Sequence, residues 1–210
     1  MRSKLGILFM CLGTVLLIMA LSLFLYNNAQ AREAQQYGRQ IMPQLIQRIE
    51  EELQEPQEET LPIVIPGTPE ELLDPSVFEM TEVEINGYSY IGYLAIPELN
   101  LDLPVMSDWS YRKLEIAPCR YSGTLGGNDL VIMAHNYGTH FGLLQYLKED
   151  SKIIFTDMDG ITTHYKVVAT EVLSPTAVED MIAGEFDLTL FTCTLGGRSR
   201  IALRCDRLIP

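Results

Sequence analysis

Cysteine, histidine and arginine stand in one order in the C-terminal half of this chain, and together they are equipped for acyl transfer. Cys193 closes the apolar run LTLFTC and is followed by Thr194-Leu195-Gly196-Gly197, so it sits where a strand ends and a glycine turn begins. Such a position leaves a side chain reachable, and loops at strand ends commonly carry function. A cysteine nucleophile acts as its thiolate and needs a base or cation close by. His135 closes the run LVIMA and opens the polar loop Asn136-Tyr137-Gly138-Thr139, again at a strand end. Arg200, seven residues after Cys193, opens the last strand, and its planar cation could hold a developing oxyanion. Each residue also has a plain structural reading: a small buried thiol, a satisfied histidine, a solvated charge at a sheet edge. The residue types alone leave both readings open. His140 lies in the loop and His164 in a strand, while Arg198 and Arg204 are read as structural.

The elements that must position these residues are mostly β. Residues 88–96 (YSYIGYLAI), 99–105 (LNLDLPV), 130–134, 188–193 and 200–208 are short apolar or alternating runs. Residues 152–155 and 163–173 flank Asp159-Gly160, a favoured hairpin dipeptide. Only residues 142–148 and 178–184 suggest short helices. A mostly antiparallel, closed β-barrel of seven or eight short strands fits residues 86–210, because closure removes sheet edges.

The N-terminal part is different. From Leu5 to Tyr26 the chain has 22 residues without a charge, long enough at about 1.5 Å per residue to cross a hydrocarbon core of about 30 Å. Arg2 and Lys4 precede this run, so residues 1–4 are expected in the cytoplasm, 5–26 in the membrane and the rest outside. Cys11 is then an apolar filler in the span. A cleaved signal peptide ending at Ala29-Gln30-Ala31 is the rival, but its apolar region would normally span only about 7–15 residues. Residues 27–85 read as an acidic stalk and linker. Between 33 and 85 there are thirteen Asp and Glu against Arg39 and Arg48, a net of −11 out of −13 for the whole chain. Tyr37, Ile41, Leu45, Ile46, Ile49 and Leu53 recur at helical spacing before the prolines from Pro56 onward break the pattern. The expectation is a solvated spacer.

Taken together, LVIMAHN with His135, LTLFTC with Cys193, and Arg200-Ile201-Ala202-Leu203 resemble the three signature elements of the sortases, cysteine transpeptidases of Gram-positive cell surfaces. The order and the 58-residue step from His135 to Cys193 fit, and IGYLAIPELNLDLPV and FTDMDGITTHYKVV resemble the opening strands and middle hairpin. The resemblance covers about residues 88–208. It implies that Cys193 attacks a carbonyl of an LPxTG-like sorting signal, His135 protonates the leaving amine and Arg200 binds substrate and the oxyanion. Thr192 matches a family threonine and is expected with Thr194 to bind substrate, the Thr194 amide as an oxyanion donor. It further implies that the partners are surface proteins bearing the signal and an amine acceptor, either a peptidoglycan precursor or a pilin lysine. No cofactor or metal is expected. Pilus-assembling members usually add a C-terminal membrane helix, absent here, and often an Asp-Pro-aromatic lid, for which Asp74, Pro75 and Phe78 are the nearest match.

The acidic balance, 28 Asp and Glu against 15 Lys and Arg, excludes a nucleic-acid binder. Two rival functions remain: a Cys-His hydrolase of cell-wall peptides, and a surface-binding domain in which Cys193 is structural. Cys119 and Cys205 are both expected outside the membrane, where a disulfide between them is allowed. Asp157 and Asp159 are better explained by hairpin-turn chemistry than by calcium.

Overall fold

The computed structural model describes residues 2–54 and 79–208. The expected lid residues Asp74, Pro75 and Phe78 lie outside them. Nine strands follow one long helix. In chain order they are α1 (Arg2–Gln54), β1 (Val83–Ile85), β2 (Tyr88–Ile96), β3 (Leu101–Met106), α2 (Tyr111–Leu114), β4 (Cys119–Ser122) and β5 (Leu130–Met133), then β6 (Lys152–Asp157), β7 (Thr162–Leu173), α3 (Val178–Met181), β8 (Leu188–Cys193) and β9 (Arg200–Arg207). The sheet order is β2-β3-β4-β5-β8-β9-β7-β6, and β6 pairs back onto β2 to close an eight-stranded barrel. The short β1 pairs with β2 beside the closed ring, so residues 83–85, read from sequence as linker, belong to the sheet.

Ladder pairs are antiparallel except at β3/β4 and β5/β8. Apolar residues alternating inward from the strands, among them Leu94, Ile132, Phe155, Val167, Leu190 and Leu203, fill the barrel. The Asp159-Gly160 turn forms as expected. Asp157 Oδ1 accepts the amides of Asp159 and Ile161 at 3.1 and 2.8 Å, and Gly160 adopts φ +78°, where a side chain would be strained.

α1 corrects the reading of a solvated spacer. It runs unbroken from the apolar segment into the stalk, and Ala34, Ile41, Leu45 and Ile49 are 5 % exposed or less. These positions form one stripe along a helix. The stripe packs on Ile85, Tyr90, Met106, Leu114 and Met158, making a second core on the outside of the barrel. Tyr37 Oη lies 3.2 Å from Tyr90 Oη across this interface. Farther along, Leu53 and Ile49 pack so close to Gly160 that a Cβ there would come within 2.9 Å of Leu53 Cδ1. The acidic residues 50–52 are exposed, which is how a strongly charged segment still buries a face.

The Cys119–Cys205 disulfide that the compartment would allow does not form; both are buried free thiols. Cys119 aligns across the sheet with Met133, Phe191 and Ala202, so Cys205 lies three strands away and three residues further along. At about 4.8 Å between strands and 3.3 Å per residue, that exceeds the reach of about 7 Å between bridged Cα atoms. Cys119 faces the α1 core and Cys205 the barrel interior. Burial pushes both thiols up to about 12.

Because Leu45 is fully buried between α1 and the barrel, Leu45→Ala should cost about 3 kcal/mol in denaturant unfolding of the intact chain. A loss below about 0.5 kcal/mol, the range of surface substitutions, would mean that the helix does not pack as described.

Candidate active site

The parallel pair β5/β8 sets the geometry. Met133 is in register with Phe191, and the Ala134 amide donates to Phe191 O at 3.2 Å. Thr192 Oγ1, buried, donates to Ala134 O at 2.8 Å and ties the two strand ends together. Continuing that register sets His135 level with Cys193, and Cys193 is paired directly with Arg200 on β9. The three residues thus occupy one row across three adjacent strands at one rim of the barrel. With strands about 4.8 Å apart, such a row gathers its side chains over a single face. All three line a cleft of about 190 Å3 walled by Trp109, Tyr121, Met133, Val178, Met181 and Phe191. A larger groove of about 820 Å3 runs between α1 and β3, away from Cys193.

Arg200 is held by the turn it follows. Its Nη1 donates to Gly197 O at 3.1 Å and Ser199 O at 3.2 Å, and among the described residues no carboxylate lies within 4 Å of it. Among the described residues its charge is therefore uncompensated beside Cys193. Gly196 and Gly197 take φ +81° and +69°, left-handed values that fit glycine and let the β8–β9 turn close tightly.

His135 is half-buried, and burial holds its imidazole below the ordinary histidine range while the Glu115 carboxylate acts the other way. Its ring stacks on Tyr137 at 5.0 Å, and Tyr137 stacks on His140 at 5.5 Å. His140 is buried, and burial, reinforced by the nearby His135, pushes it down to about 4, so it is neutral near pH 7. The loop closes through amides of His140 and Gly142 donating to Tyr137 O and that of Phe141 to His135 O. A Cβ on Gly142 would come within 2.4 Å of Asn136 O, so the closure requires glycine.

Two expectations are corrected. The Thr194 amide donates to Ser199 O at 3.0 Å within the turn and is not free to receive an oxyanion. Thr192, expected to bind substrate, is 3 % exposed and directs its hydroxyl to Ala134 O, so it acts from behind the cleft. Arg204, read as structural, is so. It is buried, pairs with Glu171 at 2.8 Å, and donates to the carbonyls of Asp180 and Met181, fixing α3 as a wall of the cleft. Trp109, Tyr121 and the Tyr137–His140 stack carry little signal in the sequence. Their one visible signal is an aromatic next to a polar loop.

A sortase domain model matches residues 94–208. Sortase A from Corynebacterium diphtheriae is 25 % identical at a TM-score of 0.51, over 59 % of this chain and 62 % of that one. Sortase C2 of Group B Streptococcus Pilus Island 1 is 26 % identical at 0.52, over 60 % and 77 %. Sortase C1 from Streptococcus suis is 26 % identical at 0.52, over 58 % and 74 %. No curated relative matches the sequence. The family model spans more than half of the chain, and the chain belongs to the sortase family.

Thr192→Val removes the bond between the two strand ends and leaves Ala134 O buried without a donor. We expect a loss of about 1–3 kcal/mol in thermal or denaturant unfolding. An unchanged midpoint would show that the pairing alone holds the rim.

Proposed function

We propose that the protein is a membrane-anchored cysteine transpeptidase, with Cys193 as nucleophile, His135 as general acid and base, and Arg200 as the oxyanion and substrate contact. The observation that carries this reading is the single row of His135, Cys193 and Arg200 across β5, β8 and β9, opening on one cleft. In the first step His135 takes the Cys193 proton, and the thiolate so formed adds to the scissile carbonyl of an LPxTG-like signal. Arg200 then faces the oxygen that gains charge, which a preorganised cation stabilises far better than water does. The C–N bond breaks as His135 gives its proton to the leaving amine, leaving a thioester on Cys193. In the second step an amine attacks the thioester, His135 takes its proton, the new amide forms and the thiolate is regenerated. The acceptor is a peptidoglycan amine or a pilin lysine.

Residues 5–26 form the anchor, residues 1–4 stay in the cytoplasm, and the domain that holds the barrel works outside the cell. Support for the anchor comes from the long apolar helix and the charges of Arg2 and Lys4 before it.

Incubation of the protein with quenched LPxTG-type peptides, with and without an amine, tests the reading. We expect an amine-coupled product whose formation falls at least about a thousandfold in Cys193→Ala. Product formed only with water would favour the hydrolase. A parent that neither cleaves nor couples any peptide, with Cys193→Ala behaving alike, would make the cysteine structural and leave a surface-binding domain.

Burial lowers the His135 pKa, so its proton is lost at a lower pH than usual, and imidazole dominates at neutral pH. The histidine limb of the kcat/KM profile should therefore lie below about pH 6.5. Tyr137→Ala, which exposes the ring, should move that limb upward. A limb above pH 7 in the parent, or a downward shift in the variant, would contradict this assignment.

A further inference from the structure

The height of the cleft above the membrane is built into α1. The helix is continuous from Arg2 to Gln54, so the uncharged run ending at Tyr26 and the stripe that packs on the barrel belong to one rod. Thr139 Oγ1 donates to the carbonyl of Ala31 at 3.1 Å, fixing the His135 loop to the helix five residues beyond Tyr26. Five helical residues rise only about 7.5 Å. On the α2 side, Arg112 and Glu115 line one crevice with Gln30 and Glu33, which brings α2 to the same level of the helix.

At that level the cleft presents aromatic rings to the outside. Trp109 is 39 % exposed and Tyr111 79 %, with ring centroids 5.9 Å apart and edge to face. Both line the cleft that holds Cys193 and His135. Rings with an apolar body and a polar tip are the side chains that settle in the headgroup layer of a bilayer. Among the described residues no element covers this pair, which presents an exposed aromatic surface beside the cleft.

We propose that α1 docks the mouth of the Cys193 cleft on the outer surface of the bilayer that the helix enters, with Trp109 and Tyr111 seated in the headgroup layer. The partner of this surface is the lipid interface. Acyl donors and amine acceptors held at the membrane then meet the cleft at its own height, while freely diffusing peptides must enter beside the bilayer. This rests on the reading of residues 5–26 as an anchor and of the cleft as the active site.

Trp109 is the only tryptophan of the chain, so its fluorescence reports this contact without any substitution. The full-length protein is placed in vesicles of phosphatidylcholine and phosphatidylglycerol, either plain or brominated near the headgroup end of the acyl chains. Seating in the headgroup layer predicts that bromination lowers the emission by about half. A seven-residue helical insertion after Tyr26, adding nearly two turns and about 10 Å, should restore it. The same insertion should leave turnover of a soluble peptide within about twofold and lower coupling of a membrane-inserted substrate about tenfold or more. Equal emission in plain and brominated vesicles would overturn the proposal, as would quenching that the insertion does not relieve. Activity that survives Cys193→Ala would instead refute the transpeptidase reading, and the quenching result would stand apart from it.

Discussion

The pairing of β5 with β8 in parallel is the constraint on which the rest of the site depends. Parallel strands side by side end at the same rim, so the residues that follow each strand emerge together. The Thr192–Ala134 hydrogen bond fixes that register at its last step. A slip of one residue would turn His135 or Cys193 to the other face of the barrel. β9 then adds Arg200 to the same row through an ordinary antiparallel hairpin. The barrel is closed on all sides, and the cleft rides on rigid strand ends.

The second constraint is α1. It is at once the apolar segment and a structural wall of the catalytic domain, since its buried stripe completes the core between the helix and the outer face of β2 and β3. Contacts at both ends of the packed region, Thr139 with Ala31 and Gly160 with Leu53, leave little freedom for the barrel to swivel on the helix. Orientation relative to the helix axis is therefore a property of the fold. A flexible linker would have given the cleft a range of orientations relative to the helix, whereas this packing gives it one.

Much of this was legible in the sequence where residues form continuous apolar runs. LVIMA and LTLFTC mark strands that end in polar loops, and those ends are where His135 and Cys193 stand. β4 was not legible, because Cys119-Arg120-Tyr121-Ser122 is four residues long with no alternation, and β1 has only three. The stripe of Ile41, Leu45 and Ile49 was visible as a period, but a period does not name its partner, and the surrounding glutamates pointed to water. The Cys119–Cys205 pairing failed because chain position says nothing about which face a thiol occupies. The Thr194 amide was inferred from resemblance, and only the turn geometry reveals that Ser199 O already engages it.

The central claim is that Cys193 carries the acyl group between donor and acceptor. Intact-mass spectrometry of the protein mixed with a sorting-signal peptide and no amine tests it most directly. The account predicts an adduct equal to the N-terminal peptide fragment, located on Cys193, labile to hydroxylamine and lost when an amine is added. Peptide cleavage with no adduct on Cys193, or an adduct on another residue, would contradict it.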